Sequence, residues 1–160
     1  MSKLLARILS DANMTEALKQ VKCNKGNAGV DGITIDDIDG YIRKHWGHIK
    51  RQINLRRYKP ALVLRVEIPK PNGGVRNLGI PTVMDRVIQQ AIVQVLTPIC
   101  EPHFHDNSFG FRPGRSCKQA IVRVLEYLND GYEWIVDIDL EKFFDKVPQD
   151  RLMSLVHNII

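Results

Sequence analysis

Cysteine is scarce in this 160-residue chain: Cys23, Cys100 and Cys117 are the whole supply. The number is odd and no CxxC occurs, which argues against a disulfide framework or a Cys-rich zinc site. A reducing compartment, the cytoplasm, fits best. No run approaches 18 apolar residues, so nothing reads as a membrane span. Lys3, Arg7, Asp11 and Glu16 interrupt the first eighteen positions, which rules out the apolar core of a signal peptide. Internal repeats are absent. The glycine-rich "GNAGVDG" is followed by no GK[ST], and no GxGxxG exists, so neither nucleotide-binding fingerprint applies. Cys100, His103 and His105 lack a second ligand pair, and Ser108 and Ser116 have no evident base.

What the chain does have is charge, unevenly spread. Residues 1–80 hold 15 Lys/Arg against 7 Asp/Glu, net +8; residues 81–160 hold 8 against 11, net −3. A basic half joined to a mildly acidic one suggests a polyanion partner and a metal site, against the plainer reading of ordinary charge scatter.

Apolar spacing predicts helices over 2–22, with Asp11 or Asn13 capping the second half, and over "TIDDIDGYIRKHWGHIKRQI", capped by Thr34 or Asp36. "NKGNAGVDG" between them is a loop by composition. "LVLRVEIP" and "GVRNLGIP" alternate around "KPNGG", a strong hairpin signal. A helix follows from Val83, ended by Pro98 and Pro102, then another over about Ser116 to Asn129, with Gly131 as its stop. "EWIVDIDLEKFF" alternates like a strand, and a last helix starts near Pro148. The order is α+β. Ending on the apolar "HNII" with no strand after it suggests a piece of a longer protein.

Four segments could carry chemistry. Asp137 and Asp139 share one strand face, and a carboxylate at a strand end can hold Mg²⁺; the alternative is a solvated terminus. Lys70 and Arg76 flank a glycine-rich turn that could wrap a phosphate, or merely stay soluble. Arg43, Lys44, Lys50, Arg51, Arg56, Arg57 and Lys59 form a run without an acid, with Trp46 and Tyr58 interleaved. That composition suits phosphate contact and base stacking, or an exposed helix face. Arg112 and Arg115 in "GFRPGRS" could present guanidinium groups to phosphate or serve ordinary helix entry.

Read together, "NKGNAGVDGITIDD", "IPKPNGGVRNLGIPTVMDRVIQQAI", "FHDNSFGFRPGRSCKQAI" and "WIVDIDLEKFFDKVPQDRL" occur in the order of blocks that resembles the N-terminal part of bacterial group II intron-encoded reverse transcriptases, the intron maturases. The resemblance spans roughly residues 22–152. It implies a right-hand polymerase, with residues 1–130 as fingers plus an N-terminal extension and 131–160 as the start of the palm. Asp139 then matches the first catalytic, metal-binding aspartate, and Leu140 offers a backbone carbonyl to the second Mg²⁺. Phe144 stacks under the incoming sugar with Phe143 beside it, and Lys70 and Arg76 clamp the triphosphate across a groove from Asp139. Arg112, Arg115 and the loop with Asn24, Lys25, Gly26, Asn27 and Gly29 touch the template, and Arg43, Lys44, Lys50 and Arg51 bind RNA. The implied partners are intron RNA or an RNA template, a primer strand and a deoxynucleotide triphosphate, with a homodimer possible and no membrane. The family's later Tyr-Ala-Asp-Asp strand does not occur in these 160 residues. Two-metal transfer needs several anionic ligands, so the chain alone is expected to be inactive. The alternative is a non-catalytic RNA-binding module.

Overall fold

A computed structural model describes residues 2–160. The chain divides into two compact units, one up to Leu96 and one from Thr97. The first contains α1 (Lys3–Ile8), α2 (Asp11–Cys23), α3 (Ile38–Asn54), β1 (Leu64–Pro69), β2 (Val75–Ile80) and most of α4 (Val83–Cys100). After α4 come a single 3₁₀ turn (Glu101–His103), α5 (Cys117–Asn129), α6 (Phe143–Lys146) and α7 (Gln149–Ile159). The fold class is α+β, as the alternation of periods implies.

The periodic N-terminal stretch is two helices. Ser2 and Ser10 cap them, each hydroxyl accepting a backbone N–H three residues on. Ser10 therefore takes the role expected of Asp11 or Asn13, because the chain is extended at Ser10 and already helical at Asp11. Asn13 serves differently: its amide donates to the carbonyls of Ile8 and Ala91 and its oxygen accepts from Gln94, locking α2 to α4. Leu9, in the break between α1 and α2, plugs a core shared with Met14, Ala17, Ile38, Ile49, Val83 and Val87.

The N-cap of α3 is Asp37, not Thr34 or Asp36. Its carboxylate accepts from Thr34 rather than from the helix, so the cap closes the preceding turn. Pro98 lies inside the last turn of α4 instead of ending it, and the chain tightens into the 3₁₀ turn around Pro102. Ser116 caps α5 with a bond from the Gln119 N–H.

β1 and β2 pair antiparallel, with Ile68 opposite Arg76 and Leu64 opposite Ile80. The tip closes with Lys70 N–H donating to Gly74 and Gly73 N–H donating to Lys70. Gly73 and Gly74 both have φ near +80°, a conformation a side chain would strain.

The strand expected in "EWIVDIDLEKFF" does not form: none of residues 133–144 is in a strand, Phe143 and Phe144 open α6, and the only sheet among the described residues is β1–β2. Alternation makes a segment suitable for a pleated ladder, but a ladder needs a second edge to bond, and none of the described segments pairs with this one. The side chains on both sides of this alternation, Trp134, Ile135, Val136 and Ile138, are largely exposed.

Candidate functional site

The hairpin presents its cations at its outer end. Cross-strand partners share a face, so Arg76 lies on the face of Leu64, Val66, Ile68, Leu78 and Ile80, at the end nearest the turn. Lys70 is the first residue beyond the ladder, and both cations are exposed. Neither forms an ion pair among the described residues, so both charges are available to an anion.

The root of the hairpin is held by a residue that sequence reasoning missed. Asp85, in the first turn of α4, is 4% exposed. Its carboxylate accepts from Tyr58 Oη at 2.6 Å, Ala61 N at 3.1 Å and Thr82 Oγ1 at 2.7 Å. Thr82 Oγ1 in turn accepts the Asp85 N–H at 3.1 Å. Tyr58 and Ala61 precede β1 and Thr82 follows β2, so one carboxylate ties both ends of the hairpin together. Burial, then the bond to Asp85, pushes the Tyr58 phenol well above its ordinary range. The signal available in sequence was Thr82-x-x-Asp85 directly before an apolar helical run, a capping-box spacing.

The glycine loop packs against the same turn. A side chain at Gly29 would come within 2.7 Å of Thr82 Cα and 3.0 Å of the Pro81 carbonyl carbon. Gly29 is thus a close backbone approach. Arg86 Nη2 donates to the Asn27 carbonyl at 2.6 Å, its guanidinium lies where a Gly26 side chain would project, and its buried Nε has no acceptor. Asn24, Lys25 and Asn27 remain exposed.

On α3, Arg43, Lys44 and Arg51 are exposed and form no ion pair among the described residues. Positions 43, 47 and 51 follow one line along the helix, and nothing lies within 4 Å of where a Gly47 side chain would be. Lys50 is committed elsewhere, 3.4 Å from Asp11 and over the Trp46 ring. Trp46 and Tyr58 pack against the core rather than standing free as stacking platforms.

In the second unit, Arg112 is turned inward. Its side chain is 7% exposed, with Nε and Nη2 on Glu101 at 2.9 and 2.7 Å and Nη1 on the carbonyls of His105 and Ser108. It holds the turn before α5. Arg115 lies over Phe109 and bonds the Asp106 carbonyl. With Lys118 and Arg123 it borders a shallow cleft of about 360 Å³ beside the α5 N-terminus.

Asp139 is exposed, next to an exposed Leu140. Lys142 adopts a left-handed conformation (φ +50°) and turns the chain into α6, where Phe143 and Phe144 meet edge to face at 5.4 Å. Phe144 is 91% exposed. No three His, Cys, Asp or Glu side chains converge as a metal site among the described residues. Asp139 fits one oxygen ligand of a hard cation, and these residues do not make up the rest.

The model of the family described as reverse transcriptase (RNA-dependent DNA polymerase) matches residues 68–160. The chain belongs to that family. The matched span contains the hairpin tip, the Thr82–Arg86 turn, Arg112, Arg115 and Asp139. Among its relatives, Protein YkfC of Escherichia coli is 35% identical over 99% of this chain. The group II intron-encoded protein LtrA of Lactococcus lactis is 36% identical over 88%, and a putative COX1/OXI3 intron 2 protein of Saccharomyces cerevisiae 32% over 98%. This chain spans 43%, 23% and 18% of those proteins. A solved structure titled as a partial Cas6-RT-Cas1–Cas2 complex superposes with a TM-score of 0.55 over 95% of the chain at 22% identity, a likeness of fold. The chain thus resembles group II intron-encoded reverse transcriptases, and its α+β arrangement of helices and a small hairpin is consistent with fingers and early palm. No helix among the described residues is long and apolar enough to cross a membrane.

Proposed function

We propose that this chain is the nucleotide- and template-handling front of an RNA-directed DNA polymerase encoded by a group II intron, and that the complete protein also binds intron RNA for splicing. The observation that carries the reading is the family match over residues 68–160, a span that includes Lys70, Arg76 and Asp139, all three exposed. In this reading Lys70 and Arg76 bind the triphosphate oxygens of a deoxynucleotide. Asp139 and the Leu140 carbonyl would contribute ligands to Mg²⁺, which, with the rest of its ligand set, would supply charge neutralisation for the phosphoryl oxygens. Phe143 and Phe144 sit against the incoming sugar, with Phe144 excluding a 2′-hydroxyl. Arg43, Lys44 and Arg51, with Lys25, Asn24, Asn27 and Arg115, meet RNA phosphates, while Arg112, Gly26 and Gly29 shape the surfaces that do so.

Primer extension on an RNA template with Mg²⁺ and deoxynucleotides tests this. A longer version containing a Tyr-x-Asp-Asp strand should extend the primer, and Asp139→Asn in it should reduce extension by roughly a hundredfold or more. These 160 residues alone should not extend. Undiminished extension by the Asp139→Asn protein would remove Asp139 from the mechanism. RNA binding by the chain without any extension in the longer version would favour the non-catalytic RNA-binding module.

A further inference from the structure

We infer that the first turn of α4 is a coupling element, and that Asp85 and Thr82 are positioning residues linking the glycine loop to the hairpin that carries Lys70 and Arg76. The inference rests on the RNA-contact reading of that loop given above.

Thr82, Asp85 and Arg86 occupy positions i, i+3 and i+4, a single helix face. Asp85 holds both ends of the hairpin through Tyr58, Ala61 and Thr82. Arg86 holds the loop through the Asn27 carbonyl. Gly29 lies against the Pro81–Thr82 peptide so closely that a single methyl group would displace it. The loop therefore cannot move toward α4 without pushing on the Pro81–Thr82 peptide, which follows β2 directly and is held to Asp85 through the Thr82 hydroxyl. Gly29 and Thr82 are both buried, and the two backbones approach each other directly. Template on the loop and nucleotide on the hairpin are thus recognised by two elements seated on one turn. A strand that fixes the loop also narrows the range of positions open to Lys70 and Arg76. That reduces the ordering a triphosphate must impose when it binds, which is positive coupling between two ligands.

Hydrogen–deuterium exchange on the 160-residue chain, with and without a short mixed-sequence RNA, tests the link. RNA should slow exchange in residues 24–32 directly and in residues 64–80 through the turn. Thr82→Val removes the hydroxyl at nearly constant shape. It should keep the loop protection and lose most of the RNA-induced slowing in the hairpin, roughly threefold or more. Thr82→Ser, which retains the hydroxyl, should restore it. Asp85→Asn should behave as Thr82→Val. Tyr58→Phe, which deletes one bond and leaves the rest of the node, should give an intermediate loss and guards against an Asp85 variant that merely fails to fold. Hairpin slowing that is equal in wild type and Thr82→Val overturns the coupling. So does a wild-type hairpin unaffected by RNA while the loop is protected. A loop that RNA does not protect sinks the template reading itself, and this inference with it.

Discussion

Asp85 shows how much of the hairpin's placement depends on one buried carboxylate. Three donors converge on it, and each would be left without an acceptor if it were lost. Removing the Tyr58 hydroxyl alone, by Tyr58→Phe, should cost about 1.5 kcal/mol, the scale of a hydrogen bond to a charged group. The pH dependence should change as well. Burial and the Asp85 bond hold the Tyr58 phenol above its usual value, so the folded chain keeps a proton that the unfolded chain releases first. The stability this contributes is complete below pH about 10 and is lost as pH rises beyond that. Urea midpoints measured below and above that pH should converge for wild type and Tyr58→Phe as the medium becomes more alkaline. A constant difference between them would show that the phenol's proton is not linked to folding.

At the scale of elements, the cations of α3 differ in their partners. Arg43, Lys44 and Arg51 are exposed and form no ion pair among the described residues, whereas Lys50 is paired with Asp11 and lies over Trp46. Neutralising the three free cations should weaken RNA binding across unrelated sequences and reduce the salt slope by about 2. Adding Lys50→Gln should change the slope little further. Binding titrations at several salt concentrations give both numbers, and an unchanged slope in the triple variant would mean that this face does not meet phosphate. The same division shows what composition could reveal. The run of cations was legible, because charge without acid is a local property. The packing of Trp46 and Tyr58 into the core was not, because an aromatic between cations has the same spacing whether it faces RNA or protein. The hairpin was legible to its turn, since Pro-Asn-Gly-Gly specifies positive φ locally. That Trp134–Leu140 stays out of any sheet was not, because strand pairing depends on residues remote in sequence.

Across the whole molecule, apolar burial is uneven. Every buried hydrophobic side chain lies between Ile8 and Val95 among the described residues, while Trp134, Ile135, Val136, Ile138 and most apolar positions of α5 and α7 are exposed. Exposed apolar surface of this extent favours association. The isolated chain should therefore self-associate, its mean mass in light scattering rising above the monomer's 18.3 kDa across the micromolar range. A constant monomer mass would argue against a homodimer and against any need to cover this surface.

Local chemistry in the sequence determined the longer helices, the caps by type if not always by position, the hairpin turn and the basic and acidic segments, since each depends on residues a few positions apart. The family blocks were likewise readable in order. Tertiary structure alone decided which of the named side chains stand free. It turned Arg112 inward onto Glu101, paired Lys50, and seated Gly29 on the Thr82 peptide. It also made Asp85 the meeting point of residues 24 and 27 positions away. Whether a donor is available or already bonded depends on what folding brings beside it, and that is a property of contacts between distant residues.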